Sequence, residues 1–252
     1  MSPQQIVREV RAFCRSRADA ALAQRWARYF KEGYDAYGID YKDPAWGALQ
    51  SEWIERLRAA SPTIWLDAGD LLVRTGKYEE ASFALHLAIG LKEHDSPETF
   101  ARIGGWFDGG IRNWGHTDVL CSDCLARYFR NGVVPLEALT QWRDSPHKYQ
   151  RRAVPVTLIK LLKPASNLKP LFRLIAPIML DPERVVQQGL GWFLRECWKR
   201  QPCPTEEFLL RYKETCPRTI VQYATERMDA AGKARFKRST NPVSRQGAKA
   251  QR

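Results

Sequence analysis

DPAWGALQSEWIERLRAA, residues 43–60, sets Trp46, Leu49, Trp53, Ile54 and Leu57 at the spacing of one face of an α-helix. Asp43 supplies an N-cap and Pro44 a first helical residue whose missing N–H costs nothing there. The same punctuation predicts helix starts at Ser61-Pro62, Ser96-Pro97, Asp181-Pro182 and Cys203-Pro204. DAALAQRWARYFK (19–31) gathers Leu22, Trp26, Tyr29 and Phe30 on one face, and as part of an amphipathic helix these aromatics read as core. AVPVTLIKLL (153–162) has a strand's composition, but its length and neighbours favour a buried helix with Pro155 near the first turn. Strand-like alternation is scarce elsewhere.

Working outward gives about twelve helices of roughly 10–18 residues joined by short turns, with pairs recurring at about 40 residues. The expected fold is therefore all-α, with HEAT-like helical repeats stacked into a curved solenoid that bears a basic concave groove; a globular bundle is the alternative. Residues 1–230 read as one domain. The tail, residues 231–252, has seven basic residues, no acidic ones and one aromatic, Phe236. It reads as a disordered arm, either inert or adding phosphate affinity.

The 252 residues carry 40 Lys and Arg against 28 Asp and Glu, a net charge of +12. Such an excess favours a polyanionic partner, because phosphate contacts release counterions. No apolar run is long enough to span a bilayer, and MSPQQIVREVRAF is charged where a signal peptide needs an apolar core, so a cytoplasmic protein is expected. Six cysteines are too few for a disulfide scaffold; Cys121 and Cys124 form a lone CxxC without a second ligand pair, so no metal or other cofactor is expected.

Chemistry concentrates in NWGHTD (113–118), where Trp114 and Asp118 lie one helical turn apart. His116, at i+2 from the tryptophan, points off their shared face. Arg151 and Arg152 follow in HKYQRRAVPV, 34 residues from Asp118 to Arg152, and Trp192 follows in VQQGLGWFLRECWKR, 40 residues later. One repeat apart, such residues fall on adjacent helices of one surface, so Trp114, Asp118, Arg152 and Trp192 are expected to line a common groove.

These segments resemble the AlkD-type DNA alkylation repair family, HEAT-like-repeat alkylpurine DNA glycosylases. WGHTD matches a Trp-x-x-x-Asp motif often written WDxVD, Arg152 in YQRRAV an arginine near a helix start, VQQGLGWFLRE a consensus of the form VQKAIGWxLRE, and RWARYFKEGYDAYGI an amino-terminal helix and turn. The resemblance runs from about residue 20 to residue 200. Gly115 replaces a common Asp, Thr117 a usually apolar residue and Gln188 a common Lys.

The resemblance implies hydrolysis of the N-glycosidic bond of cationic N3- and N7-alkylated purines in double-stranded DNA. Asp118 would stabilise the oxocarbenium ion, and Trp114 and Trp192 would hold the cationic nucleotide. Arg152 would anchor a phosphate, with Arg151, Tyr29 and Lys148 as further DNA contacts. It also implies that the base need not be flipped into a deep pocket; a monomer is expected. Two other readings compete: a non-catalytic DNA-binding relative and a protein-binding helical scaffold.

Overall fold

The computed structural model describes residues 1–239. Among these the fold is all-α: there is no β-strand, only an isolated bridge between Asp35 and Lys77. The chain divides into two compact units, Met1–Leu162 and Lys163–Arg252, where the sequence reading drew no boundary before residue 230.

The first unit contains α1 (Pro3–Ser16), α2 (Ala20–Ala27), α3 (Pro44–Leu57), α4 (Pro62–Val73), α5 (Tyr78–Gly90), α6 (Pro97–Gly104), α7 (Trp106–Gly109), α8 (Trp114–Leu120), α9 (Ala126–Arg130), α10 (Leu139–Arg143) and α11 (Lys148–Ile159). A π-helical turn, Cys121–Leu125, joins α8 to α9 without a break. The α3 face forms as its spacing dictates: Trp46, Trp53 and Leu57 are buried, and Asp43 caps the helix by accepting from the N–H of Ala45. Ser61-Pro62 and Ser96-Pro97 begin α4 and α6, the latter with a reciprocal capping box between Ser96 and Thr99.

Three local readings need correction. The helix containing Trp26 stops at Ala27, and of its supposed core face only Leu22 is buried; Trp26 and Tyr29 are exposed and Phe30 half-buried. Residues 28–42 instead leave as an irregular loop, pinned by the buried carboxylate of Glu79, which accepts from the N–H groups of Tyr37, Gly38 and Ile39. Pro155 lies inside α11, because that helix begins at Lys148, five residues before the apolar run.

A two-point guanidinium fork recurs through this unit. Arg102 donates Nε and Nη2 to Asp70 Oδ2, Arg127 grips both oxygens of Asp95, and Arg152 grips both of Asp118. The partners stand 32, 32 and 34 residues apart in sequence. Each fork ties one helix pair to the next with the bidentate geometry that makes Arg–carboxylate pairs strong.

The second unit contains α12 (Leu168–Ile175), α13 (Arg184–Trp198), α14 (Pro202–Tyr212), α15 (Arg218–Ala224) and α16 (Ala230–Arg235). Two predicted starts move: α13 opens at Arg184 because Asp181 turns the chain by accepting from the N–H of Glu183, and α14 opens at Pro202. α13 and α15 pack closely at Gly191, where a Cβ would stand 2.4 Å from the Cβ of Tyr223. Gln188, one turn away, donates to the Tyr223 hydroxyl at 2.9 Å. The tail reading also fails for residues 231–239. Phe236 is 1% exposed and anchors the segment, Arg238 donates to the carbonyls of Lys213 and Cys216, and the Ser239 N–H donates to Glu214. One aromatic side chain with a ready cavity is enough to dock a short helix. The rest of the tail, 240–252, lies outside the described residues.

Candidate functional site

Asn113 sets the start of α8. Its Oδ1 accepts from the N–H of His116 at 2.8 Å, and its Nδ2 donates to the carbonyl of Gly33 and to Nδ1 of His116, both at 3.0 Å. With Nδ1 accepting, the proton of the His116 imidazole sits on Nε2, which faces the Ser82 hydroxyl at 2.9 Å. Burial pushes this imidazole down to about 4, so it is neutral. Its ring stacks on Tyr78 with centroids 4.2 Å apart. His116 therefore fastens α8 to α5.

That anchoring fixes the two residues on the outer face of the same turn. Trp114 is 42% exposed, its indole N–H donating to the carbonyl of Tyr29 at 3.2 Å and its ring stacked on Phe30 at 5.3 Å. Asp118 is held by Arg152, Nε to Oδ1 at 2.9 Å and Nη2 to Oδ2 at 2.8 Å. The carboxylate side chain is 18% exposed and the guanidinium side chain 7%. The sequence reading gave Arg152 to a phosphate; its fork closes on the carboxylate.

The remaining sequence-derived residues take different positions. Tyr29 is 51% exposed beside Trp114, and its hydroxyl accepts from Arg28. Lys148, at the start of α11, pairs with Glu32, whose second bond comes from the Tyr149 hydroxyl. Arg151 donates to the carbonyls of Ser145 and Pro146. Trp192 belongs to the second unit, half-buried on α13. Cys121 and Cys124 face apart: their thiols donate to the carbonyls of Ala153 and Ala88. Burial pushes both thiols up, Cys124 to about 12.

Sequence reasoning missed a recess of about 680 Å3 in the first unit, which Trp114 and Asp118 border. Trp26, Tyr29 and Tyr41 complete its rim with Trp114, and Phe30, Tyr34, Trp46 and Tyr78 lie deeper. The available signal was aromatic density, seven rings between Trp26 and Trp46, which helical periodicity assigned to the core. Gly115 shapes this wall, since a Cβ there would approach Phe30 at 3.2 Å and the Tyr78 hydroxyl at 3.3 Å.

A family model described as DNA alkylation repair enzyme matches residues 10–228. The solved structure of a "predicted DNA alkylation repair enzyme from Enterococcus faecalis" superposes with a TM-score of 0.71 at 16% identity, covering 85% of this chain and 98% of that one. At that identity the likeness speaks for the fold. No curated protein matches the sequence.

Proposed function

The chain belongs to the DNA alkylation repair enzyme family, and from that premise we propose that it is a monofunctional DNA glycosylase for cationic N3- and N7-alkylated purines. The observation that carries this reading is a carboxylate fixed at two points, one helical turn from an exposed tryptophan. An alkylated purine already bears a positive charge, so its C1′–N bond breaks with the electron pair leaving on the base and no general acid is needed. What must be stabilised is the positive charge developing on the sugar. Asp118 is a preorganised negative charge for that purpose and a group to orient the attacking water, whose proton it passes to solvent. Trp114 supplies an electron-rich face, as Trp192 does in the same reading. Arg152 holds the carboxylate in its working orientation, and Arg151, Lys148 and Tyr29 serve the DNA strand. This reading assigns no lysine as a Schiff-base nucleophile and so includes no lyase step.

Charge distribution supports a polyanionic partner, which this reading takes to be double-stranded DNA bound by a monomer. Residues 1–162 carry 22 Lys and Arg against 20 Asp and Glu, a net +2, whereas residues 163–252 carry 18 against 8, a net +10. The catalytic carboxylate is assigned to the nearly neutral unit and most long-range attraction for phosphate to the basic one. No helix among the described residues is long and apolar enough to cross a membrane; action on DNA in the cytoplasm is part of the same proposal. The deciding assay is release of 7-methylguanine or 3-methyladenine from methylated duplex DNA. Binding without release would instead favour a non-catalytic relative.

A further inference from the structure

Of residues 28–42 only Gly38 is buried, so apolar packing does not hold this loop in place. Its position rests on polar ties, and one of them lies in the interior. Glu79, 5% exposed, accepts from three consecutive N–H groups, those of Tyr37 (2.9 Å), Gly38 (2.8 Å) and Ile39 (3.1 Å). Converging N–H groups of this kind make a cradle for an anion, and here the anion is the protein's own side chain. No cation pairs with Glu79 among the described residues, so these bonds are what offset the burial of its carboxylate. On the opposite side Gly38 takes a φ of +85°, and a Cβ there would stand 2.0 Å from the carbonyl oxygen of Asp19. The backbone at 37–39 is thereby caught between α5 and the start of α2. Two further ties, Asp35 to Lys77 and Glu32 to Lys148, are more exposed and weaker in water.

What the loop holds is Trp114. The indole N–H donates to the carbonyl of Tyr29 at 3.2 Å, and Phe30 stacks on the ring with the two planes 18° apart. Among the described residues these are the indole's one hydrogen bond and one ring contact, and the loop supplies both. A third loop residue, Gly33, accepts from Nδ2 of Asn113 through its carbonyl. A ring left 42% exposed has no closed socket to fix its plane, so the loop fixes it.

We infer that Glu79 is a positioning residue: buried beneath the loop, it sets the plane of Trp114 by setting the backbone that carries Tyr29 and Phe30. The inference rests on the glycosylase reading, in which the face of that ring meets the cationic nucleotide. A cation is attracted only where it lies over the ring face, so an indole free to tilt loses the contact even though every atom of it is still present. The base stays in its stack throughout.

The test uses the full chain labelled with 15N in its tryptophan indoles. The Trp114 signal is identified by its loss in Trp114→Phe. Glu79→Gln is nearly isosteric but turns an amide N–H toward the loop's own N–H groups. Glu79→Asp keeps the charge and draws it back by one methylene, a second variant should the first not fold. In both, the Trp114 signal should shift and exchange with water several-fold faster, while Trp65 and Trp106, whose indoles donate to His94 and Asp70, keep theirs. Single-turnover release of 7-methylguanine at saturating enzyme should fall about 3- to 10-fold, within the worth of one cation–π contact. Combined with Trp114→Ala, either Glu79 variant should slow release no further than Trp114→Ala alone, because both changes act through one ring. Asp95→Asn, a buried carboxylate in another fork, should lose stability without slowing release. An unmoved Trp114 signal, a moved signal with unchanged release, or losses that multiply in the double variant would each overturn the inference and spare the glycosylase reading. A Trp114 signal that moves in the Glu79 variants of a chain that releases no base would uphold the control of Trp114 by Glu79 and overturn that reading.

Discussion

Arg152 and Asp118 meet in a fork that the fold also builds between Arg127 and Asp95 and between Arg102 and Asp70. The pair proposed to act at the site is thus a structural device of the repeats, used at a position where an exposed ring stands one turn upstream. Four residues before Asp95 and Asp70 the chain has Leu91 and Leu66, both buried; four before Asp118 it has Trp114. The aromatic, more than the ion pair, sets this repeat apart.

The charge of Asp118 is the first thing to remove. Asp118→Asn should lower single-turnover release of 7-methylguanine at saturating enzyme by about 10²- to 10³-fold. The amide also presents N–H to Arg152 Nη2 where an oxygen stood, so a stability loss of about 1–3 kcal/mol should accompany it, read by urea unfolding. A variant that binds DNA as before and cuts within a few-fold of wild type would remove Asp118 from catalysis.

The repeated fork supplies its own control. Arg127→Ala and Arg152→Ala each leave a largely buried carboxylate unpaired, and each should cost about 3–5 kcal/mol of stability. Only Arg152→Ala should also lower base release per folded molecule. Equal activity in the two variants would reduce the Arg152 fork to a brace.

Exposure separates the two tryptophans. Trp114→Ala truncates a side chain that is 42% exposed, so its stability cost should fall well short of the ~3–5 kcal/mol of a core ring, while excision slows about 3- to 30-fold, the worth of one cation–π contact. Trp192→Ala, at a half-buried position, should cost more stability for a similar loss of rate. Melting curves beside single-turnover rates make the comparison.

Acid should loosen the start of α8. The His116 imidazole titrates near 4 in the fold and near 6.5 in the unfolded chain. Between those values the unfolded state binds the extra proton, so this contribution is intact above about pH 6.5 and is lost as pH falls toward 4. The full difference is about 3 kcal/mol. His116→Gln should flatten that slope in urea titrations across pH 4.5–7; an unchanged slope would show that the imidazole is not the titrating group.

Two truncations divide the tail. Removing residues 240–252, which hold three cations and no acid, should lower nonspecific DNA affinity, shift the log–log salt slope by no more than about 3, and leave single-turnover excision intact. Removing 231–252 also withdraws Phe236 from its cavity and should lower the melting temperature. Equal melting temperatures for the two shortened chains would contradict the docking of α16.

The legible parts of this protein were those in which local chemistry decides. Asp43-Pro44 and Ser96-Pro97 begin helices because their side chains satisfy the first N–H groups. The Trp114–Asp118 spacing gave a shared face because four residues make one turn. Where tertiary packing decided, sequence reading failed. Nothing in RWARYFKEGYDAYGI announces that Glu79, some forty residues on, pins the loop and leaves Trp26 and Tyr29 outside. Nor could spacing foretell that Arg152 would close on Asp118, since a guanidinium serves a carboxylate and a phosphate equally well.

The π-turn at Cys121–Leu125 decouples the angular phase of the helix ahead of it from the phase behind. Behind it, Arg127 and Tyr128 are locked by Asp95 and Thr99. Ahead of it, Asn113 and His116 lock the opposite end. A regular helix would force one rotation on both ends, and one residue of slip is about 100° of azimuth. The inserted residue lets Trp114 and Asp118 be aimed independently of the core that carries them. Deleting Ser122 would restore a uniform helix and swing the carboxylate about a quarter-turn from its guanidinium while the downstream core stayed in register.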